Sequence, residues 1–111
     1  MAIYANINID QGSDFLSVIT VEDTAGNVVN LTGYTAAGQI RKTYASNTVS
    51  ASFGASITQP TSGKISLTLP ASTTNGMKFG RYVYDVEITS SGGTVSRVIE
   101  GQVEVLPGVT R

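Results

Sequence analysis

The chain has 111 residues, 7 basic and 8 acidic side chains, a formal net charge of −1, and no Cys, His or Trp. That length holds a single domain with one core, residues 1–111. The missing Cys and His exclude disulfides, thiol nucleophiles, Ser–His–Asp triads and the usual zinc and haem ligands.

The 12 Val, 9 Ile and 14 Thr are β-branched and favour pleated strands, and 12 Gly with 12 Ser supply turns, so the composition reads as all-β. In chain order, the first expected strand is residues 2–9, with Ile3, Ala5, Ile7 and Ile9 on one face and Tyr4, Asn6 and Asn8 on the other. After a turn at residues 10–14, residues 15–22 form the second. There Phe15, Ile19 and Val21 point one way and Leu16 and Val18 the other, which predicts a strand covered on both faces. Residues 23–27 are a hairpin-type loop with Gly26 free for positive φ, and Val28-Val29 is a short strand at most.

Residues 35–42 alternate again, and Gly38 in mid-strand signals a bulge or a close backbone approach. Residues 49–58 carry Ala51, Phe53, Ala55 and Ile57 on their apolar face, and Pro60 stops that ladder. Residues 64–69 turn Ile65, Leu67 and Leu69 inward. Residues 70–78 fit one helical turn opened by Pro70. Residues 80–90 set Tyr82, Tyr84, Val86 and Ile88 on one face, one Tyr for the core and the other for a partner or a corner. A tight loop at Ser90-Ser91-Gly92-Gly93 leads to the last strand, residues 94–106, with Gly101 as its expected bulge, and then a short tail. About seven strands at this spacing predict an antiparallel β-sandwich.

Chemistry-bearing patterns are sparse. Asp85 and Glu87 share one face of a strand, which suits a solvated sheet better than the paired carboxylates of a glycosidase. Asp10, Asp14, Glu22 and Asp23 lack the dense D-x-D-x-D-G spacing of a Ca²⁺ loop, and turn formation explains them. Ser residues near Lys64 or Lys78 are expected by chance among 12 Ser, and Arg41-Lys42 reads as a solvated strand end. Asn30-Leu31-Thr32 fits a glycosylation acceptor, but no secretory leader is evident at Met1. No catalytic residue, cofactor or metal site is assigned, and neither nucleic acid nor membrane is expected as a partner: no basic stripe is visible, and no apolar run approaches the ~20 residues of a spanning helix.

Charged residues make up only 14% of the chain, against about 25% in typical soluble domains. Residues 43–63 carry no charge at all. Interface cores are depleted of charge, and an uncharged strand is a poor free edge. This stretch is therefore the expected interface, with Tyr44, Val49, Ser52 and Ser56 as its candidate residues and Phe53 available to the core.

Three segments of the second half form a recognisable pattern: Gly63-Lys64-Ile65-Ser66-Leu67-Thr68-Leu69, then Met77-Lys78-Phe79-Gly80-Arg81-Tyr82-Val83-Tyr84-Asp85-Val86-Glu87-Ile88, then Ile99-Glu100-Gly101-Gln102-Val103-Glu104-Val105. Leu31-Thr32-Gly33-Tyr34 and Gln39-Ile40-Arg41-Lys42 belong to it upstream. Together they resemble the immunoglobulin-like domain at the N-terminus of phage baseplate upper proteins. They resemble still more the small virion structural proteins of tailed phages that infect marine cyanobacteria. Phe79 stands where the family often has Pro before the Gly.

The resemblance implies an immunoglobulin-like antiparallel β-sandwich serving assembly, not catalysis. The expected partners are other virion proteins, either the major capsid protein or tail and baseplate proteins, with the chain homo-oligomeric on the particle. It would be made in the host cytoplasm and reside in the virion. A capsid-decorating cement subunit is the first expectation, because a lone small domain suits decoration. A neck, tail or baseplate component is the alternative. A carbohydrate-binding adhesion module comes third, for want of a Trp platform.

Overall fold

A computed structural model describes residues 3–23 and 25–109; Met1, Ala2, Thr24, Thr110 and Arg111 lie outside the described residues. Its strands are β1 (Ile3–Tyr4), β2 (Ile7–Asp10), β3 (Phe15–Thr20), β4 (Thr35–Arg41), β5 (Ala51–Gln59), β6 (Lys64–Leu69), β7 (Gly80–Thr89) and β8 (Val95–Leu106). Among the described residues a 3-10 turn, Pro60–Ser62, precedes β6, and a short helix, α1 (Ala71–Asn75), follows it.

The strand order is β1-β8-β7-β4-β5-β6-β3, with β2 also on β8. β5 bends this curled sheet into two layers. Its residues Ala51, Ser52 and Phe53 pair with β4, and from Gly54 onward it pairs with β6. The larger layer is thus β1/β2, β8, β7, β4 and the start of β5; the smaller is the rest of β5, β6 and β3. Alternation fills the space between them: Tyr82, Tyr84, Val86, Ile88, Ile99, Val103 and Val105 from the larger layer meet Ile65, Leu67 and Leu69 from the smaller. Phe53 sits at the bend, 6.0 Å from Phe15 and 6.1 Å from Tyr84 between ring centroids.

Four local expectations are corrected. The first strand is two pieces, and both run parallel to β8, while every other strand pairing is antiparallel. The break falls at Ala5, whose backbone lies against Gly101 so closely that a Cβ there would overlap it. Gly101 is therefore the close approach, and the bulge of β8 lies at Val98, between the Val86–Ile99 and Glu87–Arg97 pairs. Alternation predicts Ile3 inward, but it is half exposed, because β1 hangs at the sheet margin. Leu16 and Val18 were expected to be covered, yet they are 67% and 55% exposed: β3 belongs to the smaller layer, and nothing described packs on its outer side.

Other expectations hold. Gly38 keeps its register in both ladders, and a Cβ there would lie 2.9 Å from the Phe53 ring, so it is a close approach and not a bulge. Pro70 directly precedes α1. Asp14 caps that helix from a distance, accepting the Ala71 amide at 2.7 Å, and Asp23 accepts the Ala25 and Asn27 amides at 2.9 Å. Thr74 is fully buried; its hydroxyl donates to the Ser13 carbonyl at 2.7 Å and accepts the Gly12 amide at 3.1 Å, tying α1 to the turn before β3.

Candidate functional site

The two outer faces of the sandwich differ in chemistry. On the larger layer, outward positions of β4, β7 and β8 hold Arg41, Arg81, Asp85, Glu87, Glu100 and Glu104. Asp85 lies directly opposite Glu100 in the ladder, two like charges that repel. The bulge turns Arg97 over them, 3.2 Å from Asp85 and 3.8 Å from Glu100. Beside this network runs an open groove of about 320 Å³, lined by Gln39, Arg41, Tyr44, Asp85, Glu87 and Arg97 among others. Its walls are mostly polar, unlike the apolar pockets that bury small molecules. The carboxylate of Asp85 is engaged with Arg97, and Asp85 and Glu87 stand side by side on one face of β7, along one wall of the groove.

The outer face of the smaller layer is nearly free of charge. Leu16 and Val18 from β3, Ser66 and Thr68 from β6, and Gly54, Ser56 and Thr58 from β5 share it. Lys64 is the charge on these strands; it stands at the end of β6 and donates to the Thr20 hydroxyl at 3.2 Å. Exposed aliphatic side chains set among small hydroxyls are cheap to desolvate, because burial strands no charge.

The four residues expected to form one interface are not brought together. Ser52 and Ser56 point to the same side of β5, but the strand changes layer between them. Ser52 pairs with Gln39 beside the charged groove, and Ser56 pairs with Ser66 on the uncharged face. Tyr44, 69% exposed, lines the groove. Val49 is half-buried just before β5. Leu16 and Val18 carry a visible signal, apolar residues opposite Phe15, Ile19 and Val21 on one strand, but that pattern predicts burial where the structure leaves both exposed.

No protein-family model and no curated protein matches the sequence. Among solved structures, the chain is similar to CopC from Methylosinus trichosporium OB3b, with a TM-score of 0.50 and 14% identity over 94% of this chain and 88% of that one. It is similar also to the SrpA adhesin of Streptococcus sanguinis, with a TM-score of 0.50 and 12% identity over 91% of this chain and 54% of that one. A Lin-41 filamin domain aligns at a TM-score of 0.48 and 12% identity, over 91% of this chain and 84% of that domain.

The fold is an immunoglobulin-like β-sandwich. Identities this low speak for the fold alone. Within this immunoglobulin-like sandwich Tyr82 closes a corner, its hydroxyl donating to the Lys78 carbonyl at 2.7 Å, while Tyr84 lies in the core and donates to the Ala5 carbonyl at 2.6 Å. Lys42 covers the Tyr82 ring, with Nζ 4.6 Å from its centroid.

Proposed function

We propose that this chain is a non-enzymatic structural subunit of a phage virion, a cement-like decoration that docks in many copies on the capsid shell. The observation that carries the docking is the division of the surface: one outer face holds a network of charges, the other is uncharged and exposes Leu16 and Val18. The virion context is supported by the resemblance of the Gly80–Ile88 and Ile99–Val105 segments to small phage structural proteins. The uncharged face of β3, β6 and β5 is laid against the shell protein, and the charged face stays in water. Each contact is modest, and repetition over a symmetric particle supplies the avidity. A neck, tail or baseplate position uses the same face against a different partner.

The bend in β5 makes the test specific. Ser56→Lys puts a charge on the uncharged face, and Ser52→Lys puts one beside the groove; both positions are exposed, so the domain stays folded. Subunit occupancy on purified particles should fall several-fold with Ser56→Lys and remain normal with Ser52→Lys. Full occupancy with Ser56→Lys removes this face from the assembly. Density for the subunit in a particle reconstruction, on the shell or on the tail, separates the two locations.

A further inference from the structure

The outer edge of β3 is an unused ladder. β3 ends the strand order on its side. Val21 donates to the Gly63 carbonyl at 2.8 Å, and the Ile19–Ile65, Ser17–Leu67 and Phe15–Leu69 pairs continue that phase, so odd-numbered residues turn their backbone groups to β6. Alternate residues of an antiparallel strand turn theirs the other way. Leu16, Val18 and Thr20 therefore aim N–H and C=O outward, where no described residue pairs with them.

The remaining edges are blunted. β1 and β2 are short and broken at Ala5, while β5 gives three residues to one layer and shifts register between Ile57 and Gln59 in the other. β3 is a regular six-residue run, Phe-Leu-Ser-Val-Ile-Thr, with no charge, Pro or bulge to block pairing.

We propose that β3 pairs antiparallel with β3 of a second copy, about a two-fold axis at Ser17. Side chains must keep their faces, which restricts the axis to a residue and not the space between two. At Ser17, Leu16 meets Val18 of the second copy twice over, through backbone groups that both point outward, and Asp14 meets Thr20. An axis at Val18 would set Asp14 against Glu22 of the second copy, like charges face to face, and one at Leu16 would set Asp14 against Val18. In the Ser17 register the strand is its own complement, and with no charge along it nothing selects an unlike partner. Such an isologous contact is closed and joins the two small layers into one sheet with both uncharged faces on the same side. The pairing stands on the backbone and does not depend on the virion reading.

Sedimentation equilibrium of the full chain tests it. The apparent mass should rise toward twice the chain mass as concentration approaches about 1 mM, a weak contact of one strand pair. The amides of Leu16, Val18 and Thr20 should gain hydrogen-exchange protection over the same range. L16K/V18K, at exposed positions, sets Lys against Lys in both pairs and should stay monomeric with an unchanged far-UV spectrum. L16E/V18K sets Glu against Lys in both pairs and should restore the dimer. S56K, two strands away, should leave the dimer intact. A wild-type chain that remains monomeric overturns the pairing, as does a dimer that survives L16K/V18K. Failure of L16E/V18K to restore the dimer overturns the Ser17 register.

Discussion

Two buried hydroxyls show how single side chains fasten this molecule. Thr74 satisfies both the Ser13 carbonyl and the Gly12 amide. Thr74→Val keeps the volume and strands both, so it should cost about 1–2 kcal/mol, read as a lower urea midpoint with an unchanged slope. Tyr84 is 3% exposed, and burial, helped by the nearby Tyr4 phenol, pushes its ionisation up to about 12. An unfolded Tyr ionises near pH 10. Below about pH 10 both states hold the proton, and Tyr84 leaves stability independent of pH. From about pH 10 to 12 the unfolded chain loses its proton first, and the contribution of Tyr84 to stability falls by up to roughly 2–3 kcal/mol. Tyr84→Phe lacks that loss, so the stability gap between wild type and variant should narrow across this window in guanidinium titrations. A constant gap would place the Tyr84 hydroxyl in water.

At the scale of elements, the change of layer in β5 and the break between β1 and β2 each fall at a glycine. β5 leaves β4 and joins β6 at Gly54, where the Thr68 hydroxyl donates to the Gly54 carbonyl at 3.2 Å. β1 and β2 are separated where Ala5 crosses Gly101; the Ala5 amide donates to the Glu100 carbonyl at 2.8 Å, and the Asn6 side chain accepts the Gln102 amide at 3.0 Å. Gly101→Ala would drive a methyl into the Ala5 backbone, which cannot turn aside as a flexible side chain can. The expected result is a loss of about 2–3 kcal/mol from overpacking. Hydrogen exchange should show faster opening concentrated in β1 and β2, while β3 and β6 keep their relative protection. Equal loss of protection everywhere would mean that the β1–β2 crossing is not a local unit.

The whole molecule is a thin sandwich whose layers present opposite surfaces. Charges gather on the larger layer, where Arg97 holds Asp85 and Glu100 together, and the smaller layer faces outward with hydroxyls and two aliphatic side chains. Exposed ion pairs such as these add little to stability. Their effect is on orientation: the charged face costs more to bury, so in the proposed docking the other face is the one covered. An antiparallel β3 pair would double that face without covering it, which is why oligomeric state in solution and occupancy on a particle can be measured separately.

Period-2 alternation was enough to place β6 at residues 64–69 and to assign the inward sides of β5 and β7, because burial on one face writes itself directly into a strand. The composition likewise determined an all-β chain and the spacing of its strands a sandwich, and the absence of His and Cys closed off their chemistry. Other features depended on partners distant in the chain. The parallel pairing of β1 and β2 with β8 brings together Ile3 and Ile99, and no local pattern encodes the direction of a neighbour. Alternation showed that Ser52 and Ser56 share a side of β5, but only the packing of β4 against one half and β6 against the other sent them to different faces. The same holds for Leu16 and Val18: their apolar character is local, whereas their exposure follows from β3 being the last strand, a property of the sheet as a whole.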